Sequence, residues 1–246
     1  CPNRCRFCQA KNQYFPFRKR SIEKILSFAA ETYKYTGYEE LSLCGLSVSD
    51  YPDFKELLKG LVGIFKDDSI GISLPSVKVK AGFGDISGII ATIKKTGLTF
   101  APEAGSKRLR KAIAKDFDED ALFDSLKEAY ALGYRHVKLY FMIGLPSEKE
   151  EDLDGIVDLA IRVSELRRQI IGSPAQVNLS INAFIPKPHT SFQWFSMQDK
   201  DMIMNKQEYI KNKIIKSRHK HIKFNFHNRY MSYLEGIFSR GDRRLG

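Results

Sequence analysis

Three of the four cysteines fall within the first eight residues, as Cys1-Pro-Asn-Arg-Cys5-Arg-Phe-Cys8. Intervals of four and three residues in one short loop let the thiols turn toward one point, and three thiolates on a small loop want a metal. A structural zinc takes four ligands, and no fourth Cys or His lies near enough in sequence to complete the set. An iron–sulfur cube accepts three thiolates on three of its irons and leaves the fourth iron to an exogenous ligand. Two plainer readings stand beside it: zinc closed by a residue distant in sequence, and reduced structural thiols. Cys44 sits in an apolar stretch, where a small buried side chain is the simplest reading.

Such a loop needs a scaffold, and the rest of the chain reads as one. From Ser21 onward helical and strand patterns alternate. Ile22, Ile25, Leu26, Ala29 and Tyr33 follow the helical period until Gly37, and 41–46 reads as a buried strand. Phe54, Leu57, Leu58, Leu61 and Phe65 mark one apolar helix face before a strand at 70–74. A helix over 86–93 precedes the strand 98–101, a helical region over 107–132 leads into 137–143, and 152–169 leads into a last strand at 177–185. Five strands with helical crossovers predict a parallel sheet with both faces covered. With one further strand expected upstream of Cys1, the fold class is α/β, a partial (β/α)6 TIM-like barrel. Functional groups of such barrels gather at the C-terminal ends of the strands; Glu103, just after Pro102, lies at one such end, where a solvated loop acid is the plainer reading. Past Pro186 the pattern breaks into an irregular loop, a polar helix over 201–218 and a basic end. Two parts are therefore expected, a core barrel at 1–186 and a basic C-terminal extension at 187–246 packed on it.

Of the net charge of +11, residues 187–246 hold +8, from 13 basic and 5 acidic side chains. Lys211, Lys213, Lys216, Arg218, Lys220 and Lys223 crowd one stretch with Phe224, Phe226 and three histidines interleaved. That pattern suits phosphate and base contact, although a solvated helix face is the plainer reading. Arg240, Arg243 and Arg244 form the densest arginine group, and Asp242 between them suits a structural turn almost equally. With 43% hydrophobic residues the chain can build a core, which excludes disordered and collagen-like classes. There is no bilayer-length apolar run and no secretory signal, and the cysteines are too few for a disulfide scaffold. A cytoplasmic, reduced protein is expected.

The Cys-x3-Cys-x2-Cys spacing with Phe7 before the third cysteine, at the head of a βα series, resembles the radical S-adenosylmethionine (radical SAM) enzymes. The resemblance implies a [4Fe-4S] cluster on Cys1, Cys5 and Cys8, an open iron that binds S-adenosylmethionine, and reductive cleavage to a 5′-deoxyadenosyl radical. It runs along nearly the whole chain. Gly45-Leu46-Ser47 matches in part the Gly-Gly-Glu segment that meets the methionine amino group, with the acid missing. The segment 101–106 is similar to the one whose Glu or Gln contacts the cofactor, which points to Glu103, and Lys115 falls where a basic residue meets the methionine carboxylate. Residues 142–148 resemble the segment along the adenine, with Tyr140 in place of its first glycine, which implicates Met142 and Gly144. Phe7, Gly45, Ser47, Glu103, Lys115, Met142 and Gly144 are thus the implied cofactor contacts; no catalytic side chain is assigned.

The segment 185–192, with His189 in its loop, is similar to the proline-rich segment of the methylthiotransferase and cobalamin-dependent branches. The phrases at 101–105, 138–146, 186–190 and 240–245 are closer to a subfamily with a cobalamin-type domain upstream. These likenesses imply a low-potential electron donor of flavodoxin or ferredoxin type, and cobalamin through a domain outside this chain. The basic extension adds RNA or a ribosomal component as an expected substrate. The alternative is a non-catalytic metal- or iron–sulfur-containing nucleic-acid-binding module, against which the extensive βα scaffold counts.

Overall fold

The computed structural model describes residues 1–65, 70–73, 97–115 and 117–245; the helix expected over 86–93 lies outside them. After the single turn α1 (Ala10–Gln13), Ser21 starts the first long helix, α2 (Ile22–Thr36), by accepting the Lys24 N–H. Gly37, at φ 65°, closes it in the left-handed region that a side chain resists. Helix α3 (Phe54–Phe65) buries Phe54, Leu57, Leu58, Leu61 and Phe65, the face marked by the three- and four-residue spacing. Strands β1 (Glu40–Ser42) and β2 (Gly71–Ser73) pair in parallel, with Glu40 opposite Gly71.

A second sheet holds β3 (Leu98–Glu103), β4 (His136–Ile143), β5 (Gln176–Ala183) and β6 (Ile222–Phe226), in that order and parallel throughout. The crossovers are α4 (Lys107–Ala112) with α5 (Glu119–Ala131), then α6 (Glu150–Ile171), then α7 (Lys200–Lys216), and α8 (Arg229–Arg240) follows β6. The helical region expected over 107–132 consists of two helices, because Ala114 turns to φ 53° and Asp118 caps α5 by accepting two backbone N–H groups.

The strand series also continues past 177–185, where the sequence pattern breaks. Helix α7 is polar except for a stripe of buried Ile203, Ile210 and Ile214, which makes it a crossover, and β6 pairs with β5 from Val177↔Ile222 to Ile181↔Phe226. Phe224 and Phe226 lie on the same side of β6 as the buried Ile222 and pack against the core, their ring centroids 5.4 Å apart.

The sheet is covered on one face. Val137, Leu139, Phe141 and Ile143 of β4 and Val177, Leu179 and Ile181 of β5 are buried with the apolar sides of α5, α6 and α7. Each such side chain contributes about 1.5–3 kcal/mol of hydrophobic stabilisation. The alternate positions carry Lys138, Tyr140 and Met142, then Asn178, Ser180 and Asn182, then Lys223 and Asn225, and none of these is buried. Register sets them in rows: Lys138 beside Asn178 beside Lys223, and Tyr140 beside Ser180 beside Asn225. Among the described residues, the expectation of two apolar, covered faces therefore gives way to one apolar face under helices and one polar face. No described helix is long and apolar enough to cross a membrane.

Candidate functional site

At its C-terminal end β3 leaves its register between Phe100 and Glu103, and Glu103 takes φ 68°, a left-handed conformation that a non-glycine residue holds only when its surroundings impose it. The imposing groups are visible. Arg110, 3% exposed, donates through one guanidinium nitrogen to the carbonyls of Ala104 (3.0 Å) and Gly105 (3.1 Å) and pairs with Glu119 through another. Ser106 caps α4 by accepting the Leu109 N–H (3.0 Å) and bonds the buried carboxylate of Asp152, at the start of α6. Gly105 lies against Gly155 of α6, where side chains would collide. The turn so held presents the Glu103 carboxylate to Lys115, 3.3 Å away, just past α4. Burial pushes the Glu103 carboxyl above the usual carboxylate range, and the Lys115 ammonium opposes that rise.

The cysteine loop is tied to the same place. The Arg6 N–H donates to the Ile113 carbonyl and its guanidinium to the Ala112 carbonyl, both at 2.9 Å, so the loop runs alongside the end of α4 that leads to Lys115. On its other flank the Asn3 amide donates to Cys1 Sγ (3.1 Å) and to Asp50 (2.9 Å), whose carboxylate also accepts the Ser47 hydroxyl (2.7 Å). Gln9 reaches the Pro188 carbonyl at 3.3 Å. Between these ties Phe7 packs with Met142 against a small buried cluster that includes Leu109, Ile113, Leu145 and Phe184.

The site residues expected from the sequence thus fall into two neighbouring groups. Phe7, Glu103 and Met142 line a cavity of about 230 Å³ at the strand ends, together with Lys187, His227 and Glu235. Cys1, Gly45 and Ser47 line a second, of about 690 Å³. Lys115 joins the first group through Glu103. Gly144 lines neither: its φ of 82° and the Ile203 methyl, 2.8 Å from where a β-carbon would sit, explain the glycine, and its N–H donates to Glu148 at 2.8 Å. Cys44, expected buried, is exposed on the wall of the larger cavity, because β1 ends at Ser42 and the chain beyond it is irregular. Asn3, Asp50, Arg110 and Asp152 carry no motif, and only the fold shows what they position.

Cys1, Cys5 and Cys8 are half-buried thiols. Among the described residues no three His, Cys, Asp or Glu side chains are gathered so as to hold a metal ion. A single tetrahedral ion draws thiolates to about 2.3 Å from one centre, whereas a cube spreads them over three irons. Three soft thiolates on one loop, with an amide N–H already directed at one sulfur, fit the cube.

Glu148, behind the site, is a buried carboxylate paired with Lys206 of α7. Burial raises its carboxyl, against the pull of Lys206 and of the Gly144 and Leu145 N–H groups.

The family model of the Radical SAM superfamily matches residues 1–160. The uncharacterized protein MJ0966 of Methanocaldococcus jannaschii is 34% identical over 247 residues, across all of this chain and 51% of its own length, so the chain spans about half of that relative. Among solved structures, SuiB of Streptococcus suis bound to S-adenosylmethionine superposes with a TM-score of 0.63 over 96% of this chain and 50% of its own, at 14% identity. Coproporphyrinogen III oxidase of Escherichia coli, a radical SAM enzyme, gives 0.60 over 88% and 50%, at 15% identity. The cobalamin-dependent S-adenosylmethionine radical enzyme OxsB gives 0.52 over 85% and 29%, at 12% identity. At these identities the structural likeness is one of fold.

Proposed function

This chain belongs to the Radical SAM superfamily, and from that premise we propose that it is an enzyme that binds a four-iron, four-sulfur cluster on Cys1, Cys5 and Cys8 and cleaves S-adenosylmethionine to modify a substrate. When bound, the cluster supplies the electron that splits the sulfonium and yields a 5′-deoxyadenosyl radical, chemistry outside the reach of side chains. The protein's part is to hold and to shield. The Asn3 amide donates to Cys1 Sγ, a contact of the kind that tunes a cluster's potential. Glu103 offers a buried acceptor for the nucleoside's hydroxyl or amino groups, with the Lys115 ammonium 3.3 Å away opposing the rise that burial imposes on its carboxyl. Phe7 and Met142 give an apolar wall that keeps water from the reacting atoms. The observation that carries this reading is the Arg6–Ile113 hydrogen bond, which sets the thiol loop beside the Glu103–Lys115 pair. The test is anaerobic reconstitution with iron and sulfide, then S-adenosylmethionine and dithionite. About four irons per chain and release of 5′-deoxyadenosine are expected; iron without 5′-deoxyadenosine would favour the non-catalytic module.

The finer reading concerns substrate and partners. We infer RNA or a ribosomal component from exposed Lys211, Lys216, Arg218 and Lys220, although Phe224 and Phe226 serve the core and Lys213 is paired with Asp154. Arg244 is held by Asp242 through a forked pair, so phosphate contact falls to Arg240 and Arg243. RNA affinity that declines steeply with salt, and less steeply in the Arg240→Ala, Arg243→Ala double variant, is the expected result; weak binding by both proteins at low salt would remove RNA. A low-potential flavodoxin or ferredoxin as electron donor, and cobalamin through a domain outside this chain, belong to the same reading. OxsB, a cobalamin-dependent enzyme of similar fold, supports the latter.

A further inference from the structure

The polar face of the four-stranded sheet ends in a row: Met142 on β4, Asn182 on β5 and His227 just beyond β6, with Glu103 at its edge. Met142 and Asn182 are in register. The His227 N–H donates to the Ile181 carbonyl at 3.0 Å and so prolongs the β6 pairing, and the alternation through Lys223 and Asn225 sets residue 227 on the same face. All four line the cavity of about 230 Å³.

The charged groups of that cavity already have partners. Glu103 is met by Lys115, and Lys187 by Glu235. The imidazole of His227 is held by a hydroxyl instead: Nδ1 lies 2.9 Å from Oγ of Ser232, a buried residue in the first turn of α8. Ser232 Oγ also donates to the Asn228 carbonyl at 3.3 Å, the backward bond that serines make in helices. A hydroxyl has one proton. With that proton on the carbonyl, the oxygen accepts from Nδ1–H, and the neutral ring keeps its lone pair on Nε2. Among the described residues Nε2 has no partner.

We propose that the α8 side of this cavity is a substrate subsite, and that His227 Nε2 is its hydrogen-bond acceptor, taking an uncharged group that presents a hydroxyl or an amide N–H. The Asn182 amide beside it can serve either a donor or an acceptor on the same group. A carboxylate or phosphate is a poor match, because an acceptor-only group would face a lone pair while Lys187 is engaged by Glu235. Assigning this side to substrate rests on the reading that Glu103, across the cavity, faces the nucleoside.

The test uses the full chain, reconstituted with iron and sulfide, oxidised, and labelled with ¹⁵N in its histidines. Long-range ¹H–¹⁵N correlation spectra at alkaline pH report which ring nitrogen carries the proton, and loss of one signal set in His227→Gln identifies the residue. His227 should show the Nδ1–H tautomer, and Ser232→Ala should shift it toward Nε2–H. Acetamide, which has N–H groups, should move the Nε2 resonance, whereas N,N-dimethylacetamide, with the same carbonyl and no N–H, should not. An Nε2–H tautomer in the parent chain, or equal responses to the two amides, overturns the proposal. Release of 5′-deoxyadenosine from the same preparation tests the cofactor reading separately. Its failure alongside the expected tautomer and amide preference would count against that reading and leave the acceptor at His227 established.

Discussion

Gly105 and Gly155 cross so closely that a β-carbon on Gly155 would lie 2.6 Å from the Gly105 carbonyl oxygen. Helix α6 is thereby pressed onto the turn that presents Glu103, with Asp152 bonding Ser106 and Arg108 beside the contact. Gly155→Ala should therefore lower stability by about 1–3 kcal/mol, the usual result of overpacking, and weaken S-adenosylmethionine binding. Urea denaturation with a parental midpoint would show that α6 can move away from the turn without loss.

Cys5→Ala should abolish the cluster's iron and its electron paramagnetic resonance signal, while Cys44→Ala, outside the thiol loop, keeps about four irons per chain. Loss of iron in Cys44→Ala would mean the ligand set is wrong.

Removing the Glu103 carboxylate should leave iron in place and weaken the nucleoside. For Glu103→Ala the expected loss of S-adenosylmethionine affinity is about 1–3 kcal/mol, that of a hydrogen bond to a charged group. Anaerobic calorimetric titration measures it, and parental affinity would reduce Glu103 to a structural acid.

Burial raises the carboxyl of Glu103 in the folded chain, so between the ordinary glutamate range and the raised value the folded state holds a proton that the unfolded chain has released. This group's contribution to stability is full below that window and is lost as pH rises through it. The stability difference between the parent and Glu103→Gln should accordingly move in favour of the variant with rising pH. Denaturation midpoints at several pH values decide it, and a difference moving the other way sinks the assignment.

Lys206 answers a carboxylate that is 1% exposed, Glu148 in the loop between β4 and α6. Lys206→Met strands that charge in the interior and should destabilise the chain by about 3–5 kcal/mol. The double variant with Glu148→Gln should recover much of the loss, and a strictly additive double variant would show that the two residues are not coupled.

The cysteine loop, the alternation of helices and strands, and the strand-end position of Glu103 were all legible in the sequence, because spacing, period and punctuation are local properties of the chain. So was Gly37 as a helix stop, since only the residue's own conformation is at issue. What tertiary structure decided depends on partners distant in sequence. The stretch 219–227 has the composition of a nucleic-acid tail and contains β6, because pairing with β5, burial of Ile222 and packing of Phe224 and Phe226 against the core outweigh its local polarity. The left-handed Glu103 is held by Arg110 and by the contacts of Asp152 and Gly155 with the turn that follows it. Asn3 and Asp50 carry no motif, yet they anchor the thiol loop from 47 residues apart. His227 reads as one more basic residue until the sheet register brings it to the cavity of Glu103, where its Nδ1 meets the buried Ser232 hydroxyl.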